Sequence, residues 1–231
     1  MWKHQVEYFK KVFRIITYDL RGFGNSSSGD NQCTIDTHAD DLNEIIKRLN
    51  IVQPVVCGLS MGGYILLRAL ELYQHIFKAV ILSSTKSEAD TNVQKINRFN
   101  QIKQIKSGKK KIFFETFLKN ALIDATYTNN KEAVNLLMEI MNKQNELSIT
   151  GALLTLASRT DTTESLSNIK IPALIIVGVE DKLTPPETAH SLHKNIKYSK
   201  LELIPDSGHF PNIENPERFN KVIEEFINTL I

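Results

Sequence analysis

Gly58-Leu59-Ser60-Met61-Gly62 sets a serine between two glycines, where the apolar run Pro54–Leu59 gives way to a helical pattern. Three fixed positions at about 7% usage each give about 0.08 chance matches in a chain of this length, so the spacing alone is suggestive and its setting carries more weight. At such a junction a tight turn holds the serine in strained backbone geometry. Flanking glycines let strand and helix approach without a Cβ clash. The hydroxyl then stands at a helix N-terminus, where the dipole and the free N–H of Met61 can stabilise an oxyanion.

A serine hydroxyl is a weak nucleophile until a base takes its proton. The six histidines are His4, His38, His75, His190, His193 and His209. His38, His75, His190 and His193 fall in or beside helical stretches, where a surface position is the ordinary expectation. His209 instead follows Ser207-Gly208, just after the last strand-like run. Loops at the carboxyl edge of a parallel sheet are where catalytic groups gather. The base in turn needs a carboxylate to fix its tautomer and stabilise its cation. Asp181 closes the Gly178-Val179-Glu180-Asp181 loop, and Leu183-Thr184-Pro185-Pro186 then starts a helix. Glu180 and Asp206 are the neighbouring alternatives. The implied set is Ser60 as nucleophile, His209 as base, Asp181 as acid and Met61 as oxyanion donor.

The elements that must position these residues alternate. Residues 2–11 have helical spacing, and 12–19 read as a buried strand rich in β-branched and aromatic residues. Residues 21–31 are a Gly/Ser-rich loop. Asp36–Asn50 is an amphipathic helix with Ala39, Leu42, Ile45, Ile46 and Leu49 on one face. Strands follow at Pro54–Leu59, Phe77–Ser83, Ile171–Val177 and Lys200–Ile204. Helices follow at Ser60–Gln74, Pro186–Asn195 and Pro216–Leu230. Between them, residues 86–165 show only helical periodicity, clearest over 131–146 and weaker over 112–118 and 149–157. The fold class is α/β, a mostly parallel sheet with helices on both faces. Residues 1–85 and 166–231 form its core, and 86–165 a helical cap.

Composition excludes several classes. Of 231 residues, 42% are hydrophobic and 23% charged, ordinary for a globular chain long enough to bury a core. A net charge of +2 gives no reason to expect a nucleic-acid or membrane partner, and Lys109–Lys111 reads as a solvated face or loop. Two cysteines, Cys33 and Cys57, make no disulfide framework and point to a reducing, cytoplasmic setting. No run approaches the roughly 18 apolar residues of a membrane helix.

These motifs together resemble the α/β-hydrolase superfamily. Tyr18-Asp19-Leu20-Arg21-Gly22-Phe23-Gly24-Asn25-Ser26 is similar to its loop after the fourth strand. Gly58 through Gly63 resembles the nucleophile elbow of its esterase, enol-lactonase and non-haem haloperoxidase branch. Pro172 through Asp181 with Thr184-Pro185 resembles the acid loop, and Ser207 through Pro211 with Glu214 and Pro216 the histidine loop. The order serine, acid, histidine agrees. A serine at the elbow argues against the dehalogenases and epoxide hydrolases of this fold, which use aspartate there. The resemblance implies acyl transfer from a small ester or lactone to water, as in small carboxylesterases and 3-oxoadipate enol-lactonase, with no cofactor or metal. The alternative is a non-catalytic or weakly active module that binds a small molecule or a protein partner.

The family's first three strands and its His-Gly oxyanion loop have no counterpart here, so the chain reads as N-terminally shortened or partial. Removing the third strand would leave a gap between 12–19 and Pro54–Leu59. Unpaired backbone groups in a core cost about 1–3 kcal/mol each. The expectation is therefore that Val12–Asp19 crosses to pair in parallel with Pro54–Leu59. That would give five strands, a new edge suited to a homodimer, and weak activity with one oxyanion donor lost.

Overall fold

A computed structural model describes residues 1–29 and 33–230. Within them four strands form one parallel sheet in the order β1 (Val55–Leu59), β2 (Ala79–Ser83), β3 (Ala173–Gly178) and β4 (Ser199–Ile204). Chain order equals spatial order, and Ser83 pairs with both Leu59 and Ile176. The carboxyl ends of these three strands are thereby in register, and the loops that follow them lie close together.

The sheet core follows from period-two alternation. Ala79, Ile81, Leu174 and Ile176 face one layer, with Phe9, Phe219, Val222 and Phe226. These come from helices α1 (Lys3–Phe9) and α11 (Pro216–Asn228). Val80, Leu82, Ala173, Ile175 and Val177 face the other, with Ala39, Leu42, Leu66, Leu67, Ala189 and Leu192. That layer is α2 (Ile35–Arg48), α3 (Met61–Tyr73) and α9 (Pro186–Asn195). β2 and β3 are buried throughout, so their sequences read as unbroken apolar runs.

Between β2 and β3 the chain is helical: α4 (Asn92–Gln104), α5 (Lys110–Ala121), α6 (Asp124–Asn129), α7 (Lys131–Asn142) and α8 (Glu146–Ser158). The pattern over 131–146 breaks after Asn142, because Asn145 accepts the Ser148 N–H and caps a new helix. The two ends of this helical run are tied together. Arg159 donates to the buried Asp90 carboxylate at 2.6 Å, and its guanidinium lies 4.2 Å from the Tyr64 ring centroid. A short helix, α10 (Pro211–Glu214), precedes α11.

The expected strand at Val12–Asp19 does not form, and among the described residues the sheet has four strands rather than five. Among the described residues β1 pairs only with β2. Residues 14–20 run without regular structure and Val12 is 74% exposed. The segment is held at both ends. Phe13 packs on Phe9 beside the α11 face, while Leu20 packs against Ile35, Tyr64 and Ile65. Arg21 grips Asp41 through two hydrogen bonds of 2.9 and 2.7 Å. Moving the segment onto β1 would break these anchors. The loop predicted over 21–31 is a series of turns as far as Gly29, and its last two residues lie outside the described ones.

Candidate functional site

Ser60 sits between β1 and α3 with φ +53° and ψ −114°, a backbone conformation that non-glycine residues rarely adopt. Such geometry costs on the order of 1–3 kcal/mol and persists only where neighbours enforce it. Here the Ser60 N–H donates to the Ser83 carbonyl at 2.9 Å, and Thr85 Oγ1 donates to the Ser60 carbonyl at 3.0 Å. A Cβ on Gly58 would come within 2.3 Å of the Gly62 carbonyl oxygen, and one on Gly63 within 2.4 Å of Thr85 Oγ1. Gly62 differs, because a Cβ there meets nothing within 4 Å. The expectation that both glycines flanking Ser60 relieve a clash therefore holds for Gly58 and fails for Gly62, whose place is taken by Gly63. Met61 is the first residue of α3, so its N–H has no carbonyl to bond inside the helix.

Three of the residues singled out in the sequence meet. His209 Nε2 lies 2.9 Å from Ser60 Oγ, and His209 Nδ1 lies 2.9 Å from Asp181 Oδ2 and 3.1 Å from Oδ1. Asp181 and His209 are each 2% exposed, whereas Ser60 is half-buried. Burial pushes the Asp181 carboxyl up, but hydrogen bonding and charge from His209, with the Thr184 N–H and hydroxyl, more than offset it and hold it below its ordinary value. The ionised carboxylate can only accept, so Nδ1 carries the imidazole proton and the Nε2 lone pair faces the serine hydroxyl. The rival acids, Glu180 and Asp206, are exposed. His75, His190 and His193 are on the surface as expected. His38 is not. It is 1% exposed with Nδ1 unpartnered among the described residues, and burial lowers its pKa.

Further groups hold the site, and sequence reasoning gives them no individual role. Thr184 Oγ1 donates to Asp181 Oδ2 at 2.7 Å, and the Leu183 and Thr184 N–H groups donate to Oδ1 at 2.9 and 3.0 Å. Glu214 is a clamp. Its Oε1 accepts the N–H groups of Gly208 and Phe210 at 2.9 and 3.3 Å, and its Oε2 accepts that of Ile123 at 3.0 Å. Burial nevertheless leaves its carboxyl above the ordinary value. The His209 N–H donates to the Ala121 carbonyl at 2.7 Å. Gly208 makes this crowding feasible, since a Cβ would stand 2.6 Å from the Ala121 oxygen. Gly178 does the same between the acid and base loops, where a Cβ would stand 2.1 Å from the Gly208 oxygen. Thr184 and Glu214 are visible in the sequence only as parts of motifs; their roles depend on contacts between distant segments.

The arrangement can remove a proton from Ser60, keep the resulting imidazolium beside a carboxylate, and present an N–H where charge develops on an attacked carbonyl. Among the described residues no helix is long and apolar enough to cross a membrane.

A family model described as alpha/beta hydrolase fold matches residues 1–216. The chain is similar to 3-oxoadipate enol-lactonase 1 of Acinetobacter baylyi, with 27% identity over 237 residues, covering 100% of this chain and 84% of the relative. Among solved structures it is similar to a thermophilic esterase from Thermogutta terrifontis, at 30% identity and a TM-score of 0.92, covering 99% of this chain and 85% of that one. It shares the fold of the enol-lactonase from Burkholderia xenovorans at 22% identity and a TM-score of 0.88, covering 98% of this chain and 85% of that one.

Proposed function

This chain belongs to the alpha/beta hydrolase fold family, and from that premise we propose that it is a serine hydrolase of small carboxylic esters or lactones. The observation that carries the reading is the unbroken line from Ser60 Oγ through both nitrogens of His209 to Asp181, with 2.9 Å at each step. In the proposed reaction Ser60 Oγ attacks the substrate carbonyl while His209 Nε2 takes its proton. The Met61 N–H stabilises the oxyanion, and Asp181 the imidazolium. His209 then gives the proton to the departing alkoxide, leaving an acyl group on Ser60. A water molecule attacks that ester as His209 takes its proton, and His209 then returns the proton to Ser60 Oγ as the acyl–oxygen bond breaks and the acid leaves. The similar enol-lactonase and esterase support the choice of substrate class. We assign the helical run within 86–165 as the cap over the core formed by 1–85 and 166–231. The two free thiols, Cys33 and Cys57, suit the proposed cytoplasmic setting.

The test is labelling by a fluorophosphonate probe together with hydrolysis of p-nitrophenyl esters of rising chain length. Labelling at Ser60, and turnover of short esters abolished in Ser60→Ala, are expected. Folded protein that stays unlabelled while a control esterase reacts would overturn the reading.

A further inference from the structure

A net charge of +2, averaged over the whole chain, hides a strongly uneven distribution. Residues 91–114 contain seven of the 28 basic side chains and none of the 26 acidic ones, which leaves 21 basic against 26 acidic elsewhere. The seven are Lys95, Arg98, Lys103, Lys106, Lys109, Lys110 and Lys111. Arg98 is spent on Asp90, and Lys111 reaches Glu115 only at 3.9 Å. Lys103, Lys106 and Lys109 are exposed and have no ion pair among the described residues.

The same segment wears its apolar residues outward. Helix α4 has Val93 68%, Ile96 57% and Phe99 44% exposed, three residues apart and therefore on one stripe. Its packed side is formed by Ile102, against the cluster of Ile105, Phe114, Ile149 and Leu153, with the half-buried Arg98 and Gln101. Beyond the turn at Gly108, Ile112 is 52% exposed. A solvated helix places its polar face outward; this one exposes Val93, Ile96 and Phe99 beside its polar residues. The helix is nonetheless secured locally, since Thr91 and Gln94 form a reciprocal capping box. The stripe is thus present before anything covers it.

We propose that α4 and the lysine-rich turn after it dock on the surface of an anionic phospholipid bilayer. Val93, Ile96 and Phe99 would enter the boundary between headgroups and acyl chains, and Lys103, Lys106 and Lys109 would meet the anionic headgroups. Positive charge without acids selects an anionic partner. Nucleic acid would use the lysines but gives an outward stripe of valine, isoleucine and phenylalanine nothing to enter, whereas an interfacial helix requires both. This docking is peripheral and does not depend on the hydrolase reading.

The experiment is co-sedimentation of the whole protein with phosphatidylcholine vesicles, with and without phosphatidylserine, at low and high salt. Binding is expected only to the phosphatidylserine vesicles, weakening as salt rises. Replacing Lys103, Lys106 and Lys109 by glutamine should weaken partitioning roughly fivefold per lysine. Ile96→Ser with Phe99→Ser should weaken it further at unchanged charge. Circular dichroism and Tm will verify that these surface variants stay folded. The proposal is overturned by no binding to either vesicle, by equal binding to both, or by an Ile96→Ser/Phe99→Ser variant that binds like the parent. It is equally overturned if duplex DNA is bound more tightly than vesicles, or if the stripe instead buries itself between two copies in sedimentation equilibrium.

Discussion

Gly178→Ala places one methyl group where the acid loop and the base loop touch. The new Cβ would lie 2.1 Å from Gly208 O and 2.4 Å from Ser207 O, both backbone atoms. Ordinary carbon contacts need about 3.5 Å, so these carbonyls must recede by about 1 Å or more. His209 is the next residue, and its bonds to Ser60 and Asp181 are 2.9 Å each. A retreat of that size takes at least one of them beyond hydrogen-bonding range. Misplacing a reacting group by about 1 Å costs on the order of 10²-fold in rate. Overpacking of this kind also costs about 1–3 kcal/mol of stability. The assay is kcat on a short p-nitrophenyl ester with Tm measured in parallel, and Gly62→Ala is the control. A methyl at Gly62 meets open space and should leave kcat within a few-fold, despite that glycine's place in the G-x-S-x-G motif. Wild-type kcat in Gly178→Ala, or equal damage in Gly62→Ala, would refute the steric reasoning.

Asp181→Asn should fold yet lose about 10⁴ in kcat, because an amide no longer fixes the imidazole tautomer; near-full activity in that variant, with loss in Glu180→Gln, would reassign the acid. The lowered Asp181 carboxyl contributes stability that is fully present above the unfolded value of about 3.9 and is lost as pH falls through the folded one. Tm should therefore decline below about pH 4, and less steeply in Asp181→Asn than in the parent. Glu214→Gln leaves one acceptor oxygen for three backbone N–H groups, so urea unfolding should report a loss of about 1–3 kcal/mol. Its kcat should fall with it, because the clamp holds the residues on either side of His209.

Much of this architecture is legible along the chain, and the exceptions share a cause. The runs at Pro54–Leu59, Phe77–Ser83, Ile171–Val177 and Lys200–Ile204 each hold a strand, the first three starting one or two residues late, and Pro186–Asn195 is helical over that whole range. Their periodicity is local, and so is the strand-to-helix turn at Ser60. Val12–Asp19 carries the same β-branched composition but forms no strand, since pairing requires a neighbour that composition does not reveal. His38 lies on a helix with a clear apolar stripe, yet it is buried beside that stripe. The roles of Thr184 and Glu214 depend on segments that meet only on folding. Helix α4 lies in a run legible only as helical, and the exposure of Val93, Ile96 and Phe99 depends on which of its residues meet Ile149 and Leu153.

The bond from the His209 N–H to the Ala121 carbonyl joins the base to the end of α5, and Glu214 adds Ile123 to the same joint. A rigid swing of α5 and α6 away from the sheet would have to break both attachments. Such a movement would therefore disturb the backbone on either side of the His209 imidazole. The joint acts as a rivet between the α5–α6 corner and the His209 loop, so that displacing one side pulls on the other.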